Sequence, residues 1–174
     1  MTWKFLGSGL LLVVGGYLSV FVARFERRRL QVLDAFISLI YYIKGQIDCY
    51  ALPLMDIMAR ADPALVLACL GQSERGATED LTHVIPSLLA TGEPVAALVR
   101  ESRLYLEPEC ERLLVTFAGE LGYTHRAEQV ARCDHYIQAL GEERRRLADA
   151  LPARVRVSST LCLCCALGAA ILLW

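Results

Sequence analysis

The chain has 174 residues, with eighteen basic residues against nineteen acidic ones and a formal net charge of −1. An apolar fraction of 55 % and a mean hydropathy of +0.40 exclude a disordered chain, which would be charge-rich and apolar-poor. The balanced charge argues against a nucleic-acid binder, which needs positive charge to meet phosphates, and seven cysteines are odd in number and too few for a disulfide scaffold.

The apolar excess sits at the two ends. Residues 5–23 are nineteen in a row without a charge, and residues 157–174 are eighteen more. As helices, each reaches about 27–28 Å, near the ~30 Å of a bilayer's hydrocarbon core. Both runs are expected to be transmembrane helices, 1–23 and 157–174, around a body of residues 24–156. A cleaved signal peptide fits the first run poorly. Its positive cluster follows the apolar stretch instead of preceding it, and Phe21 stands where a cleavage site needs a small residue. The second run is near the lower length limit for a span, so a buried core helix is the other option there.

Arginines set the expected orientation. Arg24, Arg27, Arg28 and Arg29 follow the first run; Arg144, Arg145, Arg146, Arg154 and Arg156 precede the second; Lys4 is alone outside them. The positive-inside rule puts the body in the cytoplasm and both termini across the membrane. A reducing compartment suits unpaired Cys49, Cys69, Cys110 and Cys133.

The body reads as helices throughout. Leu33, Ile37, Ile40 and Ile47 recur at steps of four, three and seven residues, one helix face, with Lys44 interrupting. No breaker separates them from the first run, so one helix spans about Phe5 to Asp48. Pro53 opens a second helix, with Leu54, Ile57 and Met58. Asp62 caps a third, with Pro63 at its first position and Leu65, Val66 and Leu70 after it. Gly71 to Gly76 is a polar loop. Thr78 caps a helix carrying Leu81, Ile85, Leu88 and Leu89, which Pro86 bends or interrupts. Thr91-Gly92-Glu93-Pro94 ends it and starts the next, with Val95, Leu98 and Val99. Glu107-Pro108-Glu109 starts another, with Cys110, Leu113, Leu114, Phe117 and Leu121, and Gly122 follows its end. Thr124 caps a long final helix through Val130, Cys133, Ile137, Leu140, Leu147 and Leu151, with a bend at Pro152.

Chemistry-bearing motifs are sparse. The chain has no P-loop, no G-x-G-x-x-G, no H-E-x-x-H and no C-x-x-C. Cys133 and His135, with His125 upstream, are the nearest thing to a ligand set. They lie about 200° apart on a helix and do not share an ion easily. No catalytic residue, metal or cofactor is assigned. Gly15, Ser19 and Ala23 recur every four residues in the first run, as do Ser158, Cys162, Ala166 and Ala170 in the second. Small residues at that spacing allow close helix packing in lipid.

Three stretches carry a family resemblance: Tyr50-Ala51-Leu52-Pro53-Leu54, Gly92-Glu93-Pro94-Val95-Ala96-Ala97, and above all Phe117 to Gln129, FAGELGYTHRAEQ. The last is similar to a Phe-Gly-x-x-Leu-Gly-x-Ser-Asp-x-x-x-Gln pattern, with Ala118 in place of Gly and His125 in place of an acid. With the whole-chain layout, the sequence resembles the stage III sporulation protein AB family of endospore-forming bacteria. The resemblance implies an all-α bundle of about six helices, similar to the cytoplasmic domain of type II secretion F proteins and type IV pilus platform proteins. It implies a non-enzymatic platform subunit of a secretion-like complex in the mother-cell membrane around the forespore. The partners it implies are a motor ATPase similar to stage III sporulation protein AA and other membrane subunits, with homo-oligomerisation a further option. Gly122, Thr124, Glu128 and Gln129, in the family-like stretch, are the expected interaction residues. A platform of another type II secretion or pilus-like system, and a membrane-tethered Cys/His enzyme, are the alternatives.

Overall fold

The computed structural model describes residues 2–50, 53–72, 81–121 and 125–172, with side chains described outside 2–12, 81–85, 163, 166–167 and 169–172. Helix α1 runs Thr2–Tyr50, α2 Leu54–Ala59, α3 Pro63–Cys69, α4 Leu81–Ala90, α5 Pro94–Glu101, α6 Pro108–Glu120 and α7 Arg126–Leu172, with a 3₁₀ turn at Arg103–Tyr105. Among the described residues there is no strand, and the fold is all-α as the sequence indicates.

Proline and glycine punctuate these elements. Pro63, Pro94 and Pro108 each occupy the first turn of a helix, where a missing N–H loses nothing. Asp62 accepts from the Ala64 N–H at 2.9 Å and caps α3. Gly71, at φ +69°, ends the same helix. Its N–H donates to the Ala68 carbonyl, and the Gln72 N–H donates to that of Leu67. This paired closure requires a left-handed residue. A Cβ on Gly71 would sit 2.7 Å from Tyr105 Cε2, so the 3₁₀ turn packs where only glycine fits. Gly92, at φ +75°, ends α4 in open space.

The prolines inside helices do not interrupt them: α4 continues through Pro86 and α7 through Pro152. Each proline forfeits one backbone bond without ending its helix. Pro53 is the residue before α2, with φ −60° and ψ 146°, not its first helical one. The final helix begins at Arg126, and the His125 carbonyl accepts its first bond, from the Gln129 N–H at 3.0 Å. The caps expected at Thr78 and Thr124 lie outside the described residues.

The described chain divides into two units, Arg29–Arg145 and the pair of segments Met1–Arg28 and Arg146–Trp174. All seven helices enter the first unit, where the resemblance implied about six. Its core is Val32, Leu33, Phe36, Leu39, Ile40 and Ile43 of α1, with Ile57, Val66, Leu98, Leu114, Phe117, Cys133 and Leu140 from the other helices. Ile37, expected in the stripe, is half-buried. α1 is so apolar here that two neighbouring stripes satisfy the same periodicity. Around the core, α5 packs on α6 and α4, and α4 also meets α2 and α3. Three ion pairs tie α1 to α7: Asp34 with Arg144, Lys44 with Asp134, and Asp48 with Arg126. The partners ascend on one helix while descending on the other, so the two run antiparallel.

In the second unit, Ser19 Oγ donates to Ser159 Oγ at 2.8 Å, joining the outer parts of α1 and α7. As the sequence indicates for α1, the helices run through the arginine-rich junctions without a break, α1 past residues 24–29 and α7 past residues 144–156. Among the described residues no helix is long and apolar enough to cross a membrane. The two spans expected from the sequence are therefore not found there. Much of each uncharged run falls outside the described side chains.

Candidate functional site

The family-like stretch ends α6 and begins α7, and a polar cluster forms between these helices. Glu120, the last residue of α6, accepts from the Tyr136 hydroxyl at 3.0 Å and pairs with Arg132 Nη1 at 3.1 Å, both through Oε2. Arg132 also pairs with Glu128 Oε1 at 2.8 Å, one turn earlier on α7. The guanidinium thus bridges one acid from each helix. Its pKa is raised, first by the bond to Glu128. That of Tyr136 is raised by burial and then by the bond to Glu120. Beneath the cluster, the Tyr136 ring meets Phe117 edge-on, with centroids 5.2 Å apart.

The aromatic floor is closed and the charged rim is open. Phe117 and Tyr136 are buried, while the Glu120, Arg132 and Glu128 side chains are 40 %, 35 % and 53 % exposed. An ordered acidic and basic rim on a packed base is chemistry suited to recognising another protein, since its side chains are already positioned.

Of the expected interaction residues, Glu128 lies in this rim and Gln129 is half-buried beside Phe117, Glu120, Leu121, Arg132 and Tyr136. Gly122 and Thr124 lie outside the described residues. Sequence reasoning missed Glu120, Arg132 and Tyr136 as members. The four-residue spacing of Glu128 and Arg132 was the available signal, since it places opposite charges on one helix face.

The junction arginines separate into two groups. Arg24, Arg27, Arg28, Arg145, Arg146, Arg154 and Arg156 are exposed. Arg29 is instead a body residue, donating to the Tyr105 carbonyl at 3.4 Å and pairing with Glu107 at 3.5 Å. Arg144 grips both oxygens of Asp34, at 2.5 and 3.0 Å. Along the small-residue stripes, Gly15 is buried and Ser19, Ala23, Ser158 and Cys162 are half-buried. Ser19 bonds the neighbouring Ser159. The side chains of Ala166 and Ala170 lie outside the described residues.

Cys133 and the histidines are not brought together. Cys133 is fully buried, whereas His125 and His135 are exposed. Burial pushes the Cys133 thiol up to about 11, and it stays protonated and a poor nucleophile at neutral pH. Among the described residues no group of His, Cys, Asp and Glu is placed to hold a metal ion.

The family model for stage III sporulation protein AB (spore_III_AB) matches residues 4–174. No curated protein and no solved structure matches the chain.

Proposed function

The chain belongs to the stage III sporulation protein AB family and is a sporulation protein, and from that premise we propose that it is a non-enzymatic platform subunit of a secretion-like complex in the mother-cell membrane around the forespore. Its helical body faces the cytoplasm and engages a motor ATPase similar to stage III sporulation protein AA. The uncharged runs 5–23 and 157–174 anchor it, with both termini outside. Their length and flanking arginines support that reading.

The observation that carries the platform role is the Glu120–Arg132–Glu128 rim over the Phe117–Tyr136 floor. It presents half-exposed charges, two of them, Glu120 and Glu128, within the stretch that most resembles the family and the third, Arg132, just after it. Glu128→Lys reverses one charge at an exposed position. The test is co-purification of the full chain with the ATPase, alongside thermal melting of the same preparations. The variant is expected to melt like the wild type and to lose the ATPase. Full recruitment by the variant would refute this assignment of the docking surface, and failure of the wild-type chain to retain the ATPase would refute the platform role.

A further inference from the structure

The formal charge of −1 conceals a separation between the two units. Residues 29–145 hold seventeen acids against eleven bases, a net −6. Residues 1–28 and 146–174 hold seven bases against only two acids, Glu26 and Asp149, a net +5. The second unit therefore carries a net positive charge of five.

The structure gathers this charge. Arg24, Arg27 and Arg28 are exposed and spaced three and four apart, so they share one face of α1. Arg156 is exposed on α7. The Ser19–Ser159 bond sets the level of the two helices. From it, Arg24 lies five residues along α1 and Arg156 three residues along α7, about 7.5 and 4.5 Å by helix rise. On both helices these arginines lie along the chain between the serine pair and residues 29–145, and most of each uncharged run lies beyond the pair. A belt of guanidinium groups therefore adjoins the apolar ends.

Resting on the membrane anchoring proposed above, we propose that this arginine belt binds the phosphates of anionic phospholipid headgroups, so that the protein selects acidic lipid as its annulus. A guanidinium fork matches a phosphate bidentately. Each arginine near an anionic surface favours it about fivefold. The acidic unit is repelled by the same surface, so the attraction falls to the bases of the second unit, four of which form the belt.

The test reconstitutes the full chain into vesicles of equal phosphatidylcholine and phosphatidylglycerol, extracts it in mild detergent and quantifies the retained lipids. Phosphatidylglycerol is expected to be enriched about fivefold or more, less so as salt is raised. The enrichment should vanish in R24Q/R27Q/R28Q/R156Q and return in the matching lysine variant. Equal retention of both lipids by the wild type overturns the proposal, as does enrichment that survives the glutamine changes. Capture of nucleic acid in preference to phosphatidylglycerol also overturns it. Flotation separates this idea from its premise. A chain that floats with pure phosphatidylcholine vesicles but shows no lipid preference overturns lipid selection and leaves anchoring intact. A chain that floats with neither vesicle sinks both.

Discussion

Tyr136 on α7 donates its hydroxyl to Glu120 at the end of α6, across 3.0 Å. The bond fixes a carboxylate that α6 alone would leave free to rotate, and it does so from a ring already held against Phe117. The exposed rim thereby inherits the rigidity of the core below it.

Tyr136→Phe keeps the ring contact and removes the hydroxyl, while Glu120 retains Arg132. A loss of about 0.5–1.5 kcal/mol is expected in denaturant melts. Phe117→Ala removes the floor itself, with an expected loss of about 3–5 kcal/mol. Equal losses from the two would mean that the hydrogen bond, not the packing, holds the junction.

Gly71 and Gly92 provide an internal comparison. Both have positive φ, but only Gly71 has a ring at its missing Cβ. Gly92→Ala is expected to lose about 1–2 kcal/mol through backbone strain alone. Gly71→Ala adds a clash with Tyr105 and should lose more. Combining it with Tyr105→Ala should recover the clash but not the strain. A Gly71→Ala variant no worse than Gly92→Ala would show that the Tyr105 ring yields freely.

The Asp34–Arg144 pair has good geometry but is 45 % exposed on each side chain. A double-mutant cycle with Asp34→Asn and Arg144→Gln should give a coupling of only about 0.2–1 kcal/mol. The coupling should shrink as salt is raised. A larger, salt-insensitive value would mark the pair as the closure point of α1 on α7.

Stability should decline in alkali. Burial raises the thiols of Cys110 and Cys133 from 9.0 to about 11 and that of Cys69 to about 12. Between pH 9 and 11 the unfolded chain releases these protons while the folded chain keeps them, so the unfolded state binds fewer protons and stability falls as pH rises. Each thiol contributes up to ~1.4 kcal/mol per pH unit in that window. Cys110→Ala/Cys133→Ala should flatten the slope in melts recorded from pH 8 to 11, even though it lowers stability at neutral pH.

Helix starts were legible wherever chemistry is local. Pro63, Pro94 and Pro108 mark theirs because proline fixes φ and lacks a donor, and Asp62 adds a cap two residues from its target. The continuity of α1 was legible from the absence of any breaker. Most of its buried face was legible too, since Leu33, Ile40 and Ile47 of the expected stripe are buried; residues 32–43 are apolar at almost every position, and only neighbours in space add Phe36, Leu39 and Ile43 and leave Ile37 half-buried. The 3₁₀ turn at Arg103–Tyr105 carries no proline or glycine signal. Within the candidate site, Glu128 with Arg132 was readable from spacing. The approach of Glu120 to Tyr136, sixteen residues on, depends on the angle between two helices and was not.

The ion pairs between α1 and α7 join residues 110, 90 and 78 positions apart in the chain. During synthesis at about 5–20 residues per second, Arg144 follows Asp34 by roughly 5–20 s. Through that interval α1 has left the ribosome without its antiparallel partner, and the face bearing Phe36, Leu39 and Ile43 stays uncovered at least until α2 to α6 have followed. A helix made early is thus tied by its ion pairs to one made after α2 to α6. Premature termination anywhere before α7 therefore yields an incomplete body with an open apolar face, a substrate for chaperones and proteases.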